Sequence, residues 1–279
     1  MPLPVYTVTA LRLGTITVDK SGMTYGVDPG VSMDIPVWGA AVEGDGVRML
    51  VDTGFGEPAD WNRYVPHRRE DDETLPAALA GIGWRLSDID AVINSHLHYD
   101  HAENNLLLPD AQFYVSAVEW EYAQDPIATQ RWLYDFPWTD DAVTFQNYVL
   151  VANDHHQVRP GIRLIQTPGH SRGHQSVLVN TAQGVLCIAG DAACVMENFT
   201  VPTPPGGLTS AEQALDSLER MRELSDVVLM NHDPELSKFQ SEAFPAMPEV
   251  PGEAGAGAPA KRPTGRLGVG ARRPAPGLR

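Results

Sequence analysis

Apolar and polar positions alternate, or gather in short apolar blocks, through the first fifty residues, so that 5–17, 35–42 and 47–52 each read as a strand. Glu43-Gly44-Asp45-Gly46 between the last two is a hairpin signal, and the chain is expected to open as an antiparallel β unit. Strand-like blocks at 91–95 and 113–116 then alternate with helix-like stretches at 75–82 and 117–122. The second half repeats the scheme, with strands expected at 162–166, 176–180 and 185–189 and a helix over 211–224. Ser210 caps that helix and Gln213 stands three residues on, a capping-box spacing, with Leu215, Leu218 and Leu224 roughly on one face. A last strand, 226–230, delivers Asn231-His232-Asp233. The order β-rich, mixed, β-rich, mixed predicts an α+β fold of two similar halves, packed as sheets inside an outer layer of helices.

Composition narrows this to a soluble, globular chain: 279 residues, 43% apolar and 20% charged. One domain is expected over 1–244. From 245 to 279 proline, glycine and alanine dominate without hydrophobic period, which predicts a disordered tail. That tail holds six basic and two acidic residues, so the body is more acidic than the whole chain's net charge of −16. Such a body lacks the clustered cations that nucleic-acid binding needs, and a small neutral or weakly charged substrate fits it better. No run approaches the ~18 apolar residues of a membrane span, and the N-terminus has no basic segment followed by an apolar one. Two cysteines, Cys187 and Cys194, are too few for a disulfide framework. A cytoplasmic protein is expected, and a homodimer is compatible with these features.

Candidate chemistry changes the picture at 94–105. His96, His98, Asp100 and His101 fall within six positions of a chain with nine histidines, just after an apolar block. Four metal-competent side chains on one loop can converge on a cation. His170, Asp191 and His232 each follow an apolar run, where a strand end can aim a side chain into a cleft. Taken alone, each of these three also fits a loop or turn residue. Together the seven suffice for two cations with positions left for water and substrate. Two cations ~3.5–4 Å apart can share a water, lower its pKa toward ~7 and present hydroxide to an ester carbonyl. Asp100, beside that nucleophile, is the candidate for protonating the departing alkoxide.

The pattern His96-x-His98-x-Asp100-His101, then His170, Asp191 and His232, preceded by the turn Asp52-Thr53-Gly54, resembles the metallo-β-lactamase superfamily over roughly 5–240. The resemblance implies a four-layer αβ/βα sandwich. It also implies that His96, His98 and His170 hold one metal, that Asp100, His101 and His232 hold the other, and that Asp191 bridges them. The expected cofactor is two divalent ions, with zinc the first choice although such donors also accept Mn, Fe or Co. Within the superfamily, the segments 95–102 and 167–176, with Gly190-Asp191-Ala192-Ala193 and Glu197-Asn198-Phe199, are similar to the N-acyl-homoserine lactonase group. This implies a lactone ring opened by a metal-bridging hydroxide, with Asp100 and Asp191 as the catalytic carboxylates. The alternatives are a thioesterase or carboxylic-ester hydrolase on the same scaffold, or a metal-dependent binder of a small molecule without catalysis. The group usually carries a tyrosine three residues after the bridging aspartate, where it bonds the substrate carbonyl; here that position is Cys194. A thiol is a weaker donor and reaches less far.

Around these ligands, Asp52 is expected to orient a metal ligand rather than only to form a turn, and His174 to hydrogen-bond behind the ligands. His67 and His155-His156 read as exposed loop residues, and Cys187 as core. Cys194 reads equally as packing or as part of the substrate pocket, and Met196 and Phe199 are assigned to that pocket. The aromatic segment 132–138, with Trp138, is either packing under a long loop or an apolar wall over the metals.

Overall fold

The computed structural model describes residues 2–135, 147–201, 203–239 and 243–249. Seven strands form the first sheet: β1 (Thr7–Asp19), β2 (Ser32–Gly44), β3 (Val47–Val51), β4 (His67–Arg68), β5 (Ala91–Ile93), β6 (Gln112–Ser116) and β7 (Tyr148–Val151). Their order is β4-β1-β2-β3-β5-β6-β7. Five form the second: β8 (His156–Arg159), β9 (Ile162–Gln166), β10 (Gln175–Thr181), β11 (Gly184–Ile188) and β12 (Val227–Leu229), in the order β12-β11-β10-β9-β8. The helices are α1 (Pro58–Trp61), α2 (Leu75–Gly81), α3 (Tyr99–Ala102), α4 (Ala117–Gln124), α5 (Glu197–Thr200) and α6 (Ala211–Leu224).

The two-residue period of the strands sorts side chains into layers. Met49 and Val51 of β3, Val177 and Val179 of β10, and Leu186 and Ile188 of β11 meet between the sheets. Their neighbours Leu50 and Leu178 face outward, Leu50 toward Leu75 and Leu79 of α2, Leu178 toward Leu218 and Met221 of α6. Helices thus cover the outer faces of two packed sheets, the four-layer sandwich expected. In β1, Val8 and Ala10 face the inner core and Leu11 and Leu13 the outer one; a register shift between Arg12 and Thr15, at Gly14 with φ 133°, then puts Ile16 on the outer side as well. A side chain at Gly14 would meet the Phe55 ring at 2.4 Å.

Several expectations need correcting. Strands β7 and β8 were not foreseen: β7 is held by its parallel ladder to β6, and β8, with only polar and half-buried positions, by its pairing to β9. His156 therefore lies in a strand, while His155 stays in an exposed turn at φ 59°. His67 is buried, because pairing of β4 with β1 (His67 opposite Ile16) seats its ring edge-on to Phe55, 5.2 Å away. On α6, Leu215 is exposed; the buried stripe is Ala214, Ser217, Leu218 and Met221. Ser210 does cap this helix, its Oγ accepting from Gln213 N–H at 3.3 Å. Ordered packing also passes the expected boundary at 244: Ala246 bridges Val227, and Met247 N–H donates to Asp226 O. Residues 250–279 lie outside the described residues.

Candidate metal centre

Strand ends of both sheets deliver the polar residues. The loop after β5 and the short α3 carry His96, His98, Asp100 and His101; the β9–β10 turn carries His170; Asp191 follows β11 and His232 follows β12. All seven side chains are buried and converge. His98 Nδ1 lies 2.9 Å from His96 Nε2 and 3.0 Å from His170 Nε2. A neutral ring nitrogen holds either one proton or one lone pair, so His98 Nδ1 cannot bond both neighbours. Three nitrogens about 3.3 Å apart form one face of the tetrahedron around a cation bound at about 2.0–2.1 Å. The second group is Asp100, His101 and His232, with Asp100 Oδ2 at 3.6 Å from the Nε2 atom of each histidine.

Asp191 joins the groups. Its Oδ1 lies 3.3 Å from His101 Nε2 and 3.2 Å from His232 Nε2, and its Oδ2 lies 3.5 Å from His170 Nε2. One carboxylate thus turns one oxygen to each triad. His101 Nε2 and Asp191 Oδ1 are buried without a hydrogen-bond partner, a costly state that a cation between them would relieve. The donor set therefore fits two divalent ions, as the triads and the bridging carboxylate suggest.

The sequence matches the model of the metallo-beta-lactamase superfamily across residues 35–230. The chain belongs to this superfamily. An N-acyl homoserine lactonase of Bacillus cereus is 31% identical over 242 residues, covering 81% of this chain and 92% of that protein. A solved N-acyl homoserine lactone hydrolase, with N-hexanoyl-L-homoserine bound at its catalytic metal centre, superposes with a TM-score of 0.71 at 27% identity, covering 84% of this chain and 96% of the other. A solved quorum-quenching N-acyl homoserine lactone lactonase gives 0.72 at 28% identity, covering 86% and 97%. As a superfamily member the chain is a metal-dependent hydrolase.

Burial and neighbouring charge divide the imidazoles of this superfamily member when metal-free. Burial holds His96 and His98 well below the usual histidine range, with neighbouring histidines adding to the effect. His170 is also lowered, chiefly by burial. Burial opposes charge on His101 too, yet Asp191, Asp100 and Asp52 hold it well above the usual range. His232 is likewise raised against burial, by Asp191 and Asp100.

Outer partners fix the ligands. Asp52, at φ 60°, accepts from Ser95 N–H and Oγ–H at 2.7 Å each, from His101 Nδ1 at 2.8 Å and from Asn231 Nδ2 at 3.1 Å. That left-handed backbone is rare outside glycine and marks stored strain at the site. His232 Nδ1 bonds Pro36 O at 2.9 Å. His174 is not among the converging donors: its Nε2 accepts Asp191 N–H at 3.0 Å, so the proton sits on Nδ1, 2.9 Å from Thr167 Oγ1. Thr167 then bonds Ser176 at 2.8 Å, and Ser176 donates to Ala189 O at 2.9 Å. The circuit closes around Gly190, whose Cβ would fall 2.6 Å from His174 Nε2.

A cavity of about 390 Å³ opens over His98, Asp100, His170, Asp191 and His232. Ile16, Val18, Met23, Ile35 and Val65 form its apolar wall, with Trp132 and Leu133 beside them. Cys194 is not on that wall. Its thiol packs in the outer core of the first sheet, 3.9 Å from Asp191 O, and burial first, then Asp191 and Asp100, hold it well above the usual cysteine range. Phe199 is fully buried and packs, with Met196 against it, in the outer core of the second sheet, where Arg222 lies 5.7 Å from the Phe199 ring; neither residue lines the cavity. Cys187 is core, with burial pushing its thiol up to about 12. Trp138 lies outside the described residues.

Two site residues escaped sequence reasoning. Tyr99, between two ligands, lines the cavity, stacks on Trp61 at 3.7 Å and bonds His67 Nε2 through its hydroxyl at 2.7 Å. Glu119 is a fully buried carboxylate on α4. Its place after an apolar strand and inside an aromatic helix was the available signal, but a lone glutamate in a helix ordinarily faces water.

Proposed function

We propose that this chain opens the ring of a small lactone, an N-acyl-homoserine lactone or a close analogue, with two zinc ions in the His/Asp groups. The observation that carries the reading is the joining of two donor triads by Asp191 at one end of a cavity whose remaining lining is mostly apolar, with Asp19 and Ser21 as its other polar side chains besides Tyr99 and Trp132. No lysine or arginine is among the described residues lining it, which suits a neutral ring bearing an apolar substituent better than an anionic substrate. The lactonase names carried by the relatives at 27–31% identity support the same choice.

Bound there, two divalent cations would supply hydroxide at neutral pH and polarise the ester carbonyl. The chain's own groups do the rest. Asp191 holds the two triads at a fixed spacing, with His174 locking its backbone. Asp100, at the cavity floor, is placed to return a proton to the departing alkoxide. Ile16, Val18 and Ile35 exclude water from the substituent side. Because the buried Cys194 thiol does not line the cavity, it is not placed to bond the substrate carbonyl, and cleavage of other esters is the second reading.

The test is metal content measured alongside hydrolysis of a panel of acyl-homoserine lactones, unsubstituted lactones, open-chain esters and thioesters. Two zinc equivalents and turnover of lactones well above open-chain esters are expected. Two equivalents with no lactone turnover would sink the proposal, and faster thioester cleavage would replace it with the second reading.

A further inference from the structure

Glu119 accepts four hydrogen bonds and forms no ion pair among the described residues. Its Oε1 takes Leu97 N–H at 3.1 Å and Tyr134 O–H at 2.7 Å; its Oε2 takes Ser171 Oγ–H at 2.6 Å and Gly173 N–H at 3.1 Å. Leu97 stands between His96 and His98, while Ser171 and Gly173 follow His170. A single carboxylate therefore ties together the two segments, far apart in sequence, that supply the first triad. The fit is close: a Cβ on Gly173 would lie 2.0 Å from Glu119 N. Tyr134, held by the same carboxylate, sets its ring 4.7 Å from that of His98 at 72°. Asp52 bonds none of these four partners; it holds His101 and, through Ser95, whose Oγ lies 3.0 Å from His96 Nδ1, the start of the same loop.

We propose that Glu119 is a positioning residue of the His96–His98–His170 group, the one that ties its two segments together, and that it raises the affinity of that group for its cation while touching neither cation nor substrate. Each oxygen faces a backbone N–H, Leu97 at Oε1 and Gly173 at Oε2, which can only donate, so both oxygens must accept. Glu119→Gln keeps the shape but turns an NH2 group toward one pair of donors, leaving a buried mismatch. The loop spacing, and with it the separation of the three nitrogens, is then no longer fixed. The inference rests on the metal-binding part of the function proposed above and not on its lactone, so a protein that binds two cations but cleaves no lactone leaves it standing.

The experiment is competition of metal-free protein against a chromophoric chelator for Zn²⁺, with Co²⁺ absorption as a second readout. Glu119→Gln is expected to weaken one of the two equivalents by about 10–100-fold, the scale seen when groups behind metal ligands are removed. The other equivalent keeps its wild-type affinity, and the weakened one is the equivalent also lost in His170→Ala. Wild-type affinity at both, or equal weakening of both, overturns the proposal. Should Glu119→Gln fail to fold, Ser171→Ala keeps the carboxylate and removes one donor. It is expected to weaken the same equivalent by a smaller factor, and unchanged binding there overturns the proposal equally.

Discussion

Five buried histidines in one cluster do not share one protonation state. In the metal-free protein burial keeps His96, His98 and His170 neutral, while Asp191 and Asp100, with Asp52 beside His101, raise His101 and His232. The sign follows directly. A cation entering the first triad meets free lone pairs, whereas one entering the second must displace protons, and more of them as pH falls through the raised values. Zn²⁺ titration in buffers of different ionisation heat is expected to show proton release mainly with one equivalent, whose affinity drops toward acid pH while the other changes little. Equal release by both would contradict this division. The four donors at 96–101 were legible from spacing, because His and Asp have few other uses in such density, whereas His170, Asp191 and His232 each fitted a turn and were read as donors only through the family resemblance. Residues behind them were legible only in part: Asp52 and His174 sit beside recognisable motifs, whereas the buried state of His67 depends on a two-residue strand pairing that no local pattern announces.

At the scale of elements, α6 shows where periodicity reads well and where it misleads. Its length and cap were visible in the sequence, yet the buried face passes through Leu218 and Met221 and leaves Leu215 in solvent, because the second sheet covers a narrower stripe than three leucines suggest. Leu218→Ala is expected to cost about 2–5 kcal/mol, as for other buried leucines, and Leu215→Ala no more than about 0.5 kcal/mol. Urea denaturation of the two variants measures the difference, and similar losses would contradict the assignment of faces. Strands β7 and β8 went unread for the opposite reason. Each takes its identity from a partner already in place, β6 or β9, and its own alternation is weak.

For the whole molecule, the centre lies where the ends of both sheets meet, and the last strand is clamped by both. Trp38 N–H donates to Asn231 O at 2.9 Å, Asn231 Nδ2 returns a bond to Trp38 O at 2.9 Å, and His232 N–H donates to Cys194 O at 3.1 Å. Cations held by both halves bind only the assembled fold, so they stabilise it by mass action. With free metal about a thousandfold above its dissociation constant this is worth about 4 kcal/mol, and chelation is expected to lower the melting temperature by on the order of 10 °C in a domain of this size. A scan with and without chelator tests this; an unchanged transition would separate the metals from the fold. The pairing of β12 beside β11, at the edge of the second sheet, also sets an order in time. A chain growing from its N-terminus presents His96, His98 and His170 well before His232 emerges. Synthesis of the first triad therefore runs ahead of the fold that uses it: the paired centre comes into being only when β12 docks beside β11, so chemical competence waits on the C-terminal part of the described fold.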